Sequence, residues 1–212
     1  MGTRGAQVAA LIDSKRNTFF GLAEGRRERV LLRSALALTC IAGSTSAALP
    51  QRAEPVRIER DGLKFELAAL SQDQVRAFFL ARGFAAQQVE QIVETACLHR
   101  SAIGSAFTIA EAPEVRVALT EWQVAAAGKE PHSPKVREDW ETVWKRPDIP
   151  EDAATAFYWA LFPTDQTFKP TDYNWGFLTF GLPPGTVFDL RIVWRTDGTA
   201  HRTTIEGLQC AQ

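Results

Sequence analysis

The stretch VFDLRIVWRTDGTAHRTTI, residues 187–205, decides the fold. From 188 to 194 every second residue is apolar and those between are mostly polar, which is the period of a strand with one buried face. Asp197-Gly198 follows and suits a two-residue type I′ turn. The sequence therefore predicts a β-hairpin whose register can be counted from this turn. The predicted pairs are Thr196 with Thr199, Trp194 with His201, Ile192 with Thr203 and Leu190 with Ile205.

A second hairpin is predicted at residues 56–67, where another alternating run is interrupted by Asp61-Gly62. Further strands are predicted at residues 106–109, 115–124 and 175–180. Within 115–124 the inward phase changes before Trp122, which is typical of a β-bulge.

Helices are predicted between residues 71 and 162, where apolar residues recur at helical spacing. Ser71 with Gln74 forms a capping box at the start of the first helix, and Gly83 ends it. The second helix carries Cys97 on its buried stripe and has His99 at its end.

Two more helices complete this region. Ser133 as N-cap and Pro134 at the first helical position predict the start of the third helix. Asp148 with Glu151 predicts a cap for the fourth, which Pro163 ends.

Together these elements predict an α+β fold with about seven strands in an antiparallel sheet and about four helices inserted between residues 71 and 162. The Leu-Pro-Pro-Gly approach at 182–185 and the strand ending Trp-Arg-Thr-Asp-Gly at 194–198 resemble immunoglobulin-like sandwich domains of secreted proteins. The resemblance covers residues 175–206 and implies a sandwich-like arrangement. The inserted helices depart from a simple sandwich, and no family is named by this likeness.

Residues 25–50, GRRERVLLRSALALTCIAGSTSAALP, predict an export signal. Arginines precede an apolar segment of about ten residues, and Thr45-Ser46-Ala47 fits a small-residue cleavage site. The apolar segment is shorter than the roughly 20 residues that span a bilayer. We expect residues 1–47 to be the signal and 48–212 to be a single exported domain, periplasmic or secreted.

Three alternatives concern this leader. Val30 is a candidate for the true translation start, which would give a signal of ordinary length. Arg26-Arg27 allows a twin-arginine interpretation, although Arg29 stands where that motif has an apolar residue. Cys40 is a candidate lipoprotein cysteine, but Thr39 stands where Gly, Ala or Ser is usual.

Without residues 1–47, the chain has 17 Lys and Arg against 22 Asp and Glu, a formal charge of −5. Nucleic-acid binding normally needs a clustered basic face, so this balance argues against a nucleic-acid partner. No later apolar run reaches the length of a membrane span. About 160 residues can bury a core of their own.

Two cysteines remain after the leader, Cys97 and Cys210, and an oxidising compartment would favour a disulfide between them. The alternatives are two separate thiols or a metal site. The only methionine is Met1, and the weak candidate ligands for a metal are His201 and His132.

No serine-nucleophile motif, phosphate-binding glycine loop or convincing carboxylate pair is present, so no catalytic residue and no cofactor are predicted. Aromatic residues suggest a binding surface instead. Trp159 falls off the apolar stripe of its helix, and residues 163–174 read as a long irregular loop, which is often functional. The predicted surface comprises Trp159, Asp165, Asp172, Tyr173, Asn174 and Trp175.

The preferred hypothesis is a non-catalytic exported domain that binds a partner protein or a small ligand in the cell envelope. A periplasmic metal-handling accessory protein is the alternative, and an enzyme of unrecognised type is the third.

Overall fold

The computed structural model describes residues 54–212. The predictions for the leader, including Val30, Cys40 and cleavage after Ala47, lie outside the described residues.

The described chain contains nine strands, four α-helices and one short 3₁₀ turn. The strands are β1 Val56–Arg60, β2 Leu63–Ala69, β3 Leu98–Ser105, β4 Val115–Ala118, β5 Gln123–Ala126, β6 Asp165–Phe168, β7 Tyr173–Thr179, β8 Val187–Thr196 and β9 Thr199–Gln209. The helices are α1 Gln72–Leu80, α2 Ala86–Thr95, α3 Arg137–Trp144 and α4 Glu151–Ala160. None of these helices is both long and apolar enough to cross a membrane.

The strands form two antiparallel sheets, which confirms the predicted α+β class with two more strands than expected. The first sheet has the order β1-β2-β3-β7. In the second, β9 lies on one side of β8, and β4 and β5 lie on the other, with β6 beyond β4.

The first sheet has a hydrophobic cluster on each face. One face packs against the second sheet, with side chains such as Phe65, Ile103, Leu190 and Trp194 buried between them. The other face packs against the helices, where Leu98 and Phe177 join the apolar stripes of α1 to α4. The molecule is thus a β-sandwich with a layer of helices on one side.

The register counted from Asp197-Gly198 is confirmed, because all four predicted pairs are partners in the β8–β9 hairpin. The Asp61-Gly62 hairpin is confirmed as well, with Arg60 opposite Leu63. Both turns place an aspartate at positive φ before a glycine at positive φ, as a type I′ turn requires.

The capping box of Ser71 and Gln74 is also confirmed, with reciprocal hydrogen bonds of 3.2 and 2.9 Å. The β-bulge predicted within 115–124 is wrong, because the phase change there marks the 3₁₀ turn Leu119–Glu121, which separates β4 from β5. Trp122 after that turn is buried and donates from Nε1 to the Val193 carbonyl at 2.8 Å.

The prediction that α2 extends through Cys97 and His99 is wrong. The helix ends at Thr95, Cys97 has a φ of 45°, and His99 is a buried residue of β3 rather than a helix end. The strand predicted at 106–109 is absent from the described chain, because the strand of this region is β3, which ends at Ser105. Because β3 is central in its sheet, pairing on both edges outweighs its polar composition.

The predicted start of α3 at Ser133 and Pro134 is wrong by several residues. The amide of Lys135 donates to the Thr179 carbonyl at 2.8 Å, which keeps this segment extended beside β7. The helix begins after Val136, whose amide donates to Asp139 Oδ2 at 2.9 Å.

The predicted cap of α4 is also wrong. Asp148 accepts two hydrogen bonds from Arg146 instead, and Pro150 precedes the first helical residue. Proline suits this position because the first turn of a helix leaves its amides unpaired.

The disulfide between Cys97 and Cys210 is present, with Cα atoms 5.1 Å apart. It joins the residue before β3 to the residue after β9, so it links the first sheet to the second.

Candidate binding surfaces

Residues 163–174 do not form the predicted irregular loop. They contain β6, a tight turn and the start of β7. Because β6 pairs with β4 and β7 pairs with β3, this segment passes from the second sheet to the first. The Asp172 carboxylate accepts from the Lys169 amide at 3.2 Å and so forms part of the turn.

Two other predicted surface residues hold β6 to its neighbours. Asp165 pairs with Arg116, with an N–O distance of 2.6 Å, and the ion pair is largely exposed. Asn174 donates from Nδ2 to Gln166 Oε1 at 2.8 Å. The exposed ion pair contributes little to stability. Both contacts help to fix the position of β6.

Tyr173 and Trp175 differ from these residues in their exposure. Their side chains project into solvent from one face of β7, which we call the outer face. Their exposed fractions are 74% and 61%. The partner of Tyr173 across the sheet is Gly104, and that of Trp175 is Ala102. A Cβ atom at Gly104 would lie 2.6 Å from the Tyr173 Cβ, so only glycine fits there. Because the residues opposite them are small, both aromatic rings rise above the neighbouring surface of the sheet.

This part of the outer face forms a shallow groove of about 860 Å³, which we call the sheet groove. It extends from Tyr173 across Ala102 and Gly104 to charged residues of β1 and β2, and Trp175, the partner of Ala102, lies beside it without lining it. Those charges are partly paired, since Glu66 lies 3.0 Å from Arg57 and 3.5 Å from Arg100. The sheet groove thus has an aromatic edge and no strong excess of either charge.

Trp159 is 71% exposed, as its position off the helical stripe predicted. Its ring packs edge-on against Tyr158, with centroids 5.4 Å apart, and lies 5.8 Å from the guanidinium carbon of Arg137. Within residues 54–212 it makes no ring contact with Trp175. Sequence reasoning treated these residues as one surface, but Trp159 and Tyr173 line two different grooves.

The second surface is a groove of about 440 Å³ between α3 and α4, which we call the helix groove. Trp140, Trp144, Tyr158 and Trp159 line it together with Arg137. Sequence reasoning missed Arg137. Its signal was available, because Arg137, Trp140 and Trp144 recur at i, i+3 and i+7 and so share one face of α3.

The candidate metal ligands His201 and His132 are each engaged with other groups. His201 Nε2 lies 2.6 Å from Thr196 Oγ1, its Nδ1 lies 3.8 Å from Asp61 Oδ2, and its ring stacks on Trp194. His132 Nδ1 lies 2.8 Å from the Ser133 carbonyl oxygen. The described part of the chain holds no cluster of three or more His, Cys, Asp or Glu suited to a metal ion.

Because His99 is buried, we expect the free energy of unfolding to depend on pH. Its burial between Phe180 and Phe188 lowers the pKa of the imidazole from 6.5 to about 4. The unfolded chain therefore binds the proton more readily, and the free energy of unfolding should fall as pH drops from about 6.5 towards 4.

Urea unfolding at pH 7 and pH 4.5 checks this prediction. We expect His99 to contribute a loss on the order of 2 kcal/mol between these pH values. The free energy of unfolding of the variant His99→Leu should fall by about 2 kcal/mol less between these pH values. Equal losses in the two proteins would contradict a neutral buried imidazole.

No protein-family model, no curated protein and no solved structure matches this chain.

Proposed function

We propose that this protein is a non-catalytic binding domain of an exported chain, and that it recognises a partner protein through the sheet groove. The observation that carries the proposal is the exposure of Tyr173 and Trp175 on one face of β7. Trp122 and Trp194 of the sandwich are, by contrast, almost completely buried.

Exposed Tyr and Trp side chains favour recognition because each offers a wide apolar area and one polar group. They are also enriched among the residues that dominate the affinity of protein interfaces. Ala102 and Gly104 beside them leave room for side chains of a partner, and Lys64 and Glu59 supply a polar rim. A partner with a protruding apolar residue and few charges fits this surface.

The location outside the cytosol is the second part of the proposal, and the leader at residues 25–47 supports it. The periplasm or the extracellular space would then be where the partner is met.

Site-specific photocrosslinking tests the partner proposal. A benzoylphenylalanine in place of Tyr173 should give one discrete crosslinked product in the native cell compartment. The matched control places the same group at Val187, which is 55% exposed on β8 of the second sheet. Adding Trp175→Ala should reduce the product at least tenfold, since truncation of a tryptophan that anchors an interface costs roughly 2 kcal/mol or more.

Three results would contradict the proposal: no product from position 173, the same products from positions 173 and 187, or a yield that Trp175→Ala leaves unchanged. The metal-handling alternative is not advanced, because no observation among the described residues favours it over the packing contacts of His201.

A further inference from the structure

Arg137 is a buried cation without a matching anion. Its residue is only 8% exposed, and within residues 54–212 no carboxylate lies within 4.0 Å of its guanidinium group. Burying a charge is costly unless a partner of opposite charge or a full set of hydrogen bonds compensates for it. The position of Arg137 therefore calls for an explanation.

The contacts that Arg137 does make compensate for its charge only in part. Nη2 donates to the Leu161 carbonyl at 2.6 Å, and the guanidinium carbon lies 4.6 Å from the centre of the Tyr158 ring. Nε is fully buried and has no hydrogen-bond partner among the described residues. A neutral carbonyl and an aromatic face stabilise a cation less than a carboxylate does.

Unsatisfied polar groups concentrate at the helix groove. In the described chain three buried side-chain nitrogens lack a partner, and two of them belong to Arg137 and Trp144, which both line this groove. Native proteins contain few such groups, and each one calls for an explanation, of which a bound water, ion or ligand is one. An aromatic groove with convergent polar groups is the usual form of a small-molecule site.

From these observations we propose that the helix groove binds a small molecule that carries a single carboxylate on a flat apolar body. The carboxylate pairs with Arg137, and the apolar body packs against Trp159 and Tyr158. Nη1 is the reachable nitrogen, because it makes no hydrogen bond to the described residues and is not among the fully buried unpartnered atoms.

The charges at the rim favour a monoanion over a phosphate. Glu141 and Glu151 stand at the rim with Lys145, and all three side chains are exposed. Two carboxylates would repel a doubly charged phosphate more strongly than a carboxylate. The volume of about 440 Å³ lies within the range of small-molecule pockets. Neither Tyr173 nor Trp175 is among the residues that line this groove.

Isothermal titration calorimetry with benzoate, phenylacetate and indole-3-acetate tests the proposal, each compared with its uncharged amide. At least one carboxylate should bind with a Kd below about 1 mM, and its amide should bind at least tenfold more weakly. Arg137→Gln should remove this difference. Trp159→Ala should weaken carboxylate binding about fivefold or more while leaving the unfolding temperature unchanged, since its side chain is exposed.

Trp175→Ala is the matched control and should leave the affinity unchanged. If Arg137→Gln does not fold, the carboxylate–amide comparison and Trp159→Ala still decide the matter. The proposal is overturned if no carboxylate binds at about 10 mM, if acid and amide bind equally, or if Trp159→Ala has no effect. Because the crosslinking at position 173 concerns another surface, failure here leaves that proposal standing.

Discussion

Replacing both Cys97 and Cys210 with alanine is expected to lower the free energy of unfolding by about 4 to 5 kcal/mol. The disulfide closes a loop with a sequence separation of 113 residues, and in the chain-entropy model so long a loop strongly restricts the unfolded chain. It also connects β3 of the first sheet with the end of β9 in the second. Urea unfolding of the wild type and the double variant under oxidising conditions measures the difference.

The control is reduction. Dithiothreitol added to the unfolded wild-type protein should reproduce the midpoint of the double variant, and it should not change the double variant itself. A loss below about 1 kcal/mol would show that the unfolded chain gains little freedom when the link is removed.

Phe157→Ala is expected to lower the free energy of unfolding by about 3 to 5 kcal/mol. The Phe157 ring is fully buried on α4, where it stacks on Phe79 of α1 and contacts Trp140 and Trp144 of α3. Removing it leaves a cavity at the point where three helices meet over the first sheet. Denaturant unfolding, followed by circular dichroism, measures the change.

Trp159→Ala is the matched control, because it removes a larger side chain from the same helix. Trp159 is mostly exposed, and we expect its loss to change the free energy of unfolding by less than about 0.5 kcal/mol. If the two variants lose similar amounts, the packing described for α4 is incorrect.

The sequence correctly predicted the elements that are determined by a few consecutive residues. The β8–β9 register follows from a two-residue turn and an alternating strand, so it could be counted residue by residue. The capping box at Ser71 likewise lies within four consecutive residues. The inward stripe of α4 correctly separated buried Phe157 from exposed Trp159.

Errors arose where distant pairing overrides the local pattern. β3, with the sequence LHRSAIGS, is polar for a central strand, and it is held by β2 and β7 on its two edges. β6 was taken for loop because its four residues, DQTF, bury only Phe168. The start of α3 was misplaced because a bridge from Lys135 to Thr179 lies outside any sequence window.

The candidate surfaces were predicted in part. An exposed tryptophan on α4 and the aromatic pair at 173 and 175 could be found from the sequence. Their separation into two grooves depends on how α3 and α4 meet, which the sequence pattern does not reveal. Arg137 shares a helix face with Trp140 and Trp144, but it was overlooked because an arginine near a helix start is ordinary on a solvent-facing surface. Its burial is known only from the structure.

We propose above that this chain acts outside the cytosol as a disulfide-linked binding domain. Intact mass spectrometry of the protein isolated from its own cells tests that claim most directly. We predict the mass of residues 48–212, lowered by the two hydrogens lost when Cys97 and Cys210 are joined. A chain that retains residues 1–47 and carries both thiols in alkylatable form would contradict it.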